Sequence, residues 1–128
     1  MSRRNLRQWW SAITIVIAVA VLVEAAFAGA MLSGVEWART AHRANAALLV
    51  ASSLAAGFVC ILTLRHVARG WTLGLTLLSL ALVLFVQAAV GALSAKGANL
   101  LWLHVPLGVA LFGFTALAVA DARKLRPE

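Results

Sequence analysis

The chain has 128 residues, of which 63% are hydrophobic and 12% are charged, and its mean hydropathy is +0.96. A soluble domain is about half apolar, so this composition argues against an ordinary soluble enzyme and favours a single-domain integral membrane protein. The net charge of +7 does not indicate a nucleic-acid-binding protein. The basic residues stand at the ends of apolar runs rather than on a soluble face.

Four long apolar runs predict four transmembrane helices, because each has about the 20 residues that a helix needs to cross a bilayer core. We expect them over residues 11–34, 41–64, 72–93 and 100–120. The connections are short and polar, and the first is expected to be a loop over residues 35–40. Trp9, Trp10 and Trp71 flank the runs, where Trp rings prefer the headgroup level. The predicted fold class is therefore an all-α, integral membrane, four-helix up-down bundle.

The distribution of Lys and Arg predicts the orientation of this bundle. Eight basic residues belong to the N-terminus, the second connection and the C-terminal tail: Arg3, Arg4, Arg7, Arg65, Arg69, Arg123, Lys124 and Arg126. Only Arg39, Arg43 and Lys96 belong to the opposite side. By the positive-inside rule both termini are expected in the cytoplasm.

The first run also has features of a cleavable export signal. Arg3 and Arg4 precede it, and the small residues Ala26 and Ala28 follow its apolar part. We favour a retained first helix, because the run is long, contains Glu24 and aligns with the third run, which no peptidase would remove.

The second half of the chain repeats features of the first half at a distance of 62 positions. Three pairs then coincide: His42 with His104, Gly29 with Gly91, and Ala46 with Gly108. His and Gly are rarer here than aliphatic residues, so their coincidence is informative. It indicates two duplicated helical hairpins related by an axis along the membrane normal.

The two aligned histidines are candidate ligands of one metal-centred cofactor. An up-down bundle places its second and fourth helices on a diagonal, roughly 11–14 Å apart. His42 and His104 are expected at equal depth near the outer ends of these helices. Imidazole is a good iron ligand, and such a gap suits two imidazoles with a flat macrocycle between them. We therefore predict haem b with both histidines as axial ligands.

Residues near the histidines fit the same cofactor. Four small residues, on the same and the flanking helices, are expected to make room for the macrocycle: Ala46, Gly108, Gly29 and Gly91. Arg43 and Arg39 are candidate partners of the haem propionates, with Lys96 a weaker one. Zinc is a less favoured metal, because only Glu36, in the predicted loop, could add a third ligand.

Other roles are expected for the remaining polar residues and for Cys60. His66 stands 24 residues after His42, about 36 Å along a helix, so it is predicted to be a solvated loop residue. Cys60 is expected to be a small buried apolar residue. Glu24 and Gln87 lie at similar depth, expected below the haem, and a hydrogen bond between them across the bundle is favoured over a proton relay or a quinone contact.

Three motifs resemble a known family. His42-Arg43 opens the second run, Gln87-x-x-x-Gly91 lies in the third, and Leu-Trp-Leu-His-x-x-x-Gly opens the fourth. They are similar to one half of haem A synthase, an eight-span family of two four-helix bundles with a histidine pair in each half. The chain also resembles small bacterial four-span proteins of similar layout. The resemblance implies His42 and His104 as axial haem ligands.

The chain departs from that family at two points. Arg39 stands where the catalytic half is expected to carry Glu, and the cysteine pair of the outer loop is missing. Synthase activity is therefore not implied for this chain.

Together these features predict a membrane haem b protein that transfers electrons, or that handles or senses haem. Its expected surroundings are the lipid bilayer and a protein redox partner or a quinone, and we assign no catalytic residue. One alternative is a cofactor-free structural or assembly subunit whose histidines are interfacial. A second is a haem-modifying enzyme related to haem A synthase.

Overall fold

The structure is a computed structural model that describes residues 3–125, with side chains from Asn5 onward, and four helices account for most of them. In chain order they are α1 (Arg3–Leu32), α2 (Glu36–Leu64), α3 (Gly70–Ala95) and α4 (Leu101–Arg123). All four are long and apolar enough to cross a membrane. The prediction of an all-α four-helix membrane bundle is confirmed.

The helices form a closed ring of neighbours. Each packs against the next in the chain, and α1 also packs against α4. Within residues 3–125, α1 does not approach α3, and α2 does not approach α4. As expected for an up-down bundle, α2 and α4 therefore lie on one diagonal, and α1 and α3 on the other.

The helices extend beyond the apolar runs that predicted them. The expected loop over residues 35–40 is wrong, because α2 begins at Glu36. No Gly or Pro follows Glu36 until Gly57, so nothing local prevents the polar first turns from being helical. Arg39 is consequently a helical residue. Of the basic residues used for the orientation, Arg126 and the side chains of Arg3 and Arg4 lie outside the described part.

The two connections at the histidine side of the bundle end their helices in the same way. Gly34 and Gly97 have positive φ values of 85° and 100°, which glycine adopts without a steric penalty. Around each, two backbone bonds form a Schellman motif. Val35 N–H donates to Ala30 at 3.1 Å, and Ala98 N–H donates to Leu93 at 3.1 Å. The two hairpins thus share one cap geometry.

The bundle interior differs between its two ends. At one end, here called the packed end (residues 10–21, 49–64, 70–84 and 111–125), the inward positions are fully buried, for example Leu49, Leu73, Leu77 and Leu80. At the other, the histidine end (residues 24–32, 36–46, 87–95 and 101–108), inward positions recur at the same helical spacing but are only partly buried, apart from Ala38. The large apolar core is confined to the packed end.

Two side chains at the packed end test sequence expectations. Cys60 is fully buried, and its Sγ lies 3.5 Å from the carbonyl oxygen of Gly70, so the prediction of a small buried residue is confirmed. Trp10 is only 6% exposed and belongs to the core. Trp10 therefore faces the bundle interior, whereas Trp9 and Trp71 are exposed, and the interfacial depth of these rings stays a prediction.

Candidate functional site at the histidine end

The structure brings His42 and His104 together across the α2–α4 diagonal. Their ring centroids are 6.4 Å apart, and the ring planes cross at 77°. The backbones of α2 and α4 do not approach each other, so the two side chains alone bridge the centre of the bundle. Both rings point inward and are partly buried.

Small side chains line the interior around the two rings. Many inward positions of the histidine end carry Ala, Gly or Ser: Ala28, Ala41, Ala46, Ala88, Gly91, Ser94 and Gly108. The packed end combines large buried side chains such as Leu77 with small ones such as Ser53 and Ala118. The histidine end therefore differs mainly in that its inward positions are only partly buried.

A polar group on α1 contacts the ring of His42. Oε1 of Glu24 lies 2.9 Å from Nδ1 of His42, although the ring N–H is not aligned for a good hydrogen bond. The Nδ2 group of Asn45, three residues after His42 on the same helix face, donates to Oε2 of Glu24 at 2.7 Å and to the carbonyl oxygen of Ala20 at 3.0 Å. Glu24 is therefore held between two side chains of α2.

The surroundings of His104 are different. Its Nδ1 is buried and has no hydrogen-bond partner. A Cβ added to Gly91 would stand 2.7 Å from Cε1 of His104, so the ring occupies the space that the missing side chain leaves on α3. Gln87, one turn from Gly91, donates from Nε2 to the backbone carbonyl of His104 at 2.7 Å. Gln87 thus binds the main chain of α4 rather than the imidazole.

The expected hydrogen bond between Glu24 and Gln87 is wrong. These residues belong to α1 and α3, which lie on a diagonal and do not approach each other. Each side chain instead contacts the adjacent helix: Glu24 meets His42 of α2, and Gln87 meets His104 of α4. Glu24 touches one of the two rings, and its depth relative to a cofactor stays a prediction.

The structural correspondence between the hairpins differs from the sequence repeat by one residue. The histidines are 62 positions apart, whereas the cap glycines Gly34 and Gly97 are 63 apart, as are Glu24 and Gln87. By the cap geometry, the α1 counterpart of Gly91 is therefore Ala28 rather than Gly29. Gly29 has nothing within 4 Å of where its Cβ would stand, so the structure gives it no contact with either ring.

The other predicted residues have varied positions. Ala46 and Gly108 are partly buried and follow the histidines by one turn, and a Cβ on Gly108 would stand 3.3 Å from Nε2 of Gln87. Arg39 and Arg43 are exposed near the N-terminal end of α2. His66 is exposed beyond the opposite end of α2, where Nε of Arg65 lies 3.0 Å from its Nε2. His66 is thus a solvated connection residue, as predicted.

Sequence reasoning missed Glu24 as the partner of His42 and Asn45 as the partner of Glu24. Asn45 gave a usable signal, because it is a polar residue three positions after His42 in an apolar run and so lies on the same helix face. Glu24 was visible as an acid within a membrane span. Its partner was hidden, because the sequence repeat alone does not fix how α1 is rotated against α2.

The donor set fits two-histidine ligation of a haem iron. Two metal–nitrogen bonds of about 2 Å each, with the ring radius of about 1 Å on either side, require ring centroids about 6 Å apart. The observed separation is 6.4 Å. Nδ1 of His42 faces Glu24, so Nε2 is the nitrogen of that ring left for a metal. The Cβ position of Gly91 is 3.3 Å from both Nδ1 and Nε2 of His104, so this contact leaves room for the ring without selecting one of its nitrogens.

Residues 3–125 contain no group of three or more His, Cys, Asp or Glu side chains placed to hold a metal ion. A zinc site built from protein ligands alone is therefore not supported in this part of the chain. In comparisons with protein-family models, curated proteins and solved structures, nothing matches the chain. Its function must be argued from the site itself.

Proposed function

We propose that the protein is a membrane haem b protein in which His42 and His104 are the axial ligands. The observation that carries the proposal is the separation of the two rings, 6.4 Å between centroids across the bundle diagonal. One iron can accept both Nε2 atoms at that separation. The rings are supplied by helices that do not otherwise meet, so the pair is not a by-product of helix packing.

The interior of the histidine end supports the same proposal. Its inward positions are only partly buried, and many of them carry small residues, whereas those of the packed end are fully buried. Arg39 precedes His42 by about one helical turn, on the outer side and on nearly the same face. Arg39, and Arg43 beside it, would pair with propionates at the outer rim.

A bis-histidine haem supplies a one-electron couple with no open coordination position. Electron transfer, or the handling or sensing of haem, is accordingly the proposed role. His66, the third histidine, lies beyond the far end of α2 and is exposed, so it has no part in this pair. A protein redox partner or a quinone would have to bring electrons to, or take them from, the histidine end.

The proposed location is a bacterial plasma membrane with both termini in the cytoplasm, which places the haem near the outer face. The four candidate spans support a multi-pass protein, and the excess of Lys and Arg beside the packed end supports the orientation.

The test is the visible spectrum of the protein purified from haem-replete cells. We expect a sharp Soret band with reduced-minus-oxidised bands of a six-coordinate b-type haem. His42→Ala and His104→Ala should each abolish that six-coordinate spectrum, whereas His66→Ala should leave it unchanged. A colourless wild-type protein that expresses and folds normally would instead support a cofactor-free structural or assembly subunit.

A further inference from the structure

The two histidines have unequal surroundings although they occupy equivalent places in the two hairpins. The Nδ1 atom of His42 lies 2.9 Å from a carboxyl oxygen of Glu24, whereas no carboxyl group of residues 5–125 makes such a contact with His104. Neither Nδ1 atom has a partner in full hydrogen-bond geometry, so the difference between the two rings is the adjacent carboxyl group. The counterpart of Glu24 in the second hairpin is Gln87, which binds a backbone carbonyl. No equivalent of the Glu24 contact therefore acts on His104.

We propose that Glu24, held by Asn45, is a positioning residue that fixes the ring of His42 with Nδ1 as donor and Nε2 free to ligate iron, and so makes His42 the stronger of two unequal axial ligands. This inference rests on the proposed haem function and deepens it. It concerns the orientation and tautomer of one ring, and both can be measured without the cofactor.

Asn45 fixes the orientation of the Glu24 carboxyl group. Its Oε2 accepts a hydrogen bond from Asn45 at 2.7 Å, so Oε2 is committed as an acceptor. Asn45 is itself held by its second bond, to the carbonyl oxygen of Ala20. The remaining oxygen, Oε1, is thereby aimed at His42. The carboxyl group cannot rotate away without losing the Asn45 bond.

The oriented carboxyl group favours one tautomer of the imidazole. A neutral histidine carries one hydrogen, on either Nδ1 or Nε2. An acceptor beside Nδ1 favours the Nδ1–H tautomer, which leaves the Nε2 lone pair available to a metal. A carboxyl partner on the far nitrogen also raises the basicity of the ligating one. His104 lacks such a partner and is positioned by packing against Gly91 instead.

The basicity of the imidazole affects the iron. A more basic axial imidazole stabilises ferric iron relative to ferrous iron and so lowers the midpoint potential. Removing Glu24 should then raise the potential while both histidines remain in place. Removing Gln87 should not, because its bond goes to the main chain of α4.

The first experiment uses the full chain without haem, labelled with ¹⁵N-histidine in detergent micelles. The ring nitrogen shifts report which nitrogen carries the hydrogen, and His66→Ala and His104→Ala assign the signals. We expect His42 to be predominantly Nδ1–H in the wild type and to move toward Nε2–H, the form that free side chains prefer, in Glu24→Leu. Glu24→Gln, which keeps one oxygen acceptor, should be intermediate, and Gln87→Leu should leave the His42 signals unchanged.

The second experiment is a redox titration of the haem-containing protein. Glu24→Leu should raise the midpoint potential with the six-coordinate spectrum intact, and Gln87→Leu should shift it less. If wild-type protein binds haem with both histidines, but neither the His42 tautomer nor the potential responds to Glu24→Leu, the positioning role is overturned and the proposed function stands. If the protein binds no haem, the proposed function fails. A change of the His42 tautomer in Glu24→Leu would then show only that Glu24 packs against His42.

Discussion

The two ends of the bundle are built from the same four helices but are held together differently. At the packed end, inward Leu residues such as Leu73 and Leu77 are fully buried, and dispersion between close-packed side chains provides the cohesion. At the histidine end the inward residues are only partly buried and many are small or polar, and directional contacts such as that between Asn45 and Glu24 join the helices. One end therefore specifies the fold, and the other keeps an interior that two imidazoles can share.

The largest difference between the ends should appear when a Leu is truncated in each. Leu77→Ala removes a fully buried side chain and should lower the free energy of unfolding by about 2 kcal/mol or more. The loss is expected in lipid as well as in water, because the cavity that remains removes packing contacts between the helices. Leu107→Ala, at a partly buried position of the histidine end, should cost clearly less. Unfolding by SDS titration from mixed micelles measures both. Equal losses would contradict the distinction between the two ends.

A side chain added at the histidine end should discriminate between two glycines. Gly91→Val places a Cβ 2.7 Å from the ring of His104 and should cost about 1–3 kcal/mol through overpacking. It should also displace that ring and remove the six-coordinate haem spectrum. Gly29→Val is the matched control, because nothing lies within 4 Å of its Cβ position. Thermal unfolding and the visible spectrum report the two effects, and identical behaviour of both variants would contradict the ring contact.

The polar contacts of the histidine end should also be unequal. Asn45→Leu removes the bonds to Glu24 and to Ala20 and should cost about 1–2 kcal/mol. Gln87→Leu removes one bond, to His104, and also removes an Oε1 atom that is buried without a partner, so its net cost should be below about 1 kcal/mol. The same SDS titration compares them, and a larger loss for Gln87→Leu would reverse the assignment.

The smallest expected effects concern the two helix caps. Gly34→Ala and Gly97→Ala each force a Cβ onto a residue with positive φ and should cost about 1 kcal/mol. The two losses should be equal within error, because both caps make the same pair of backbone bonds. A thermal unfolding series measures them, and markedly different values would contradict the equivalence of the two hairpins.

The sequence was sufficient for the bundle and for the diagonal histidine pair. Length and hydropathy predict four spans, and the short connections leave only a ring of neighbours, which puts α2 opposite α4. The repeated His then falls at one depth. These predictions require only that polar residues face the bundle interior. They do not require the exact rotation of each helix about its axis.

The partners of the histidines could not be predicted, because they depend on rotation and on one residue of register. The repeat of 62 positions aligns the histidines, and it also aligns Gly29 with Gly91, but the caps align α1 with α3 at 63. The connections after the caps differ as well, since α2 begins at Glu36 and α4 begins at Leu101. For the same reason the sequence paired Glu24 with Gln87, although these side chains face different neighbours.

The unequal spacing between cap and histidine has a consequence for how duplicated hairpins can diverge. Eight positions separate Gly34 from His42, whereas seven separate Gly97 from His104. The non-helical stretch after the cap is also different, since α2 begins at Glu36, two residues after Gly34, and α4 begins at Leu101, four residues after Gly97. Because each residue of a helix turns the chain by about 100° and raises it by about 1.5 Å, the two histidines stand at different places in the turns of their helices. A change in chain length at the membrane surface can thus differentiate two inherited ligands without any substitution at the ligands themselves.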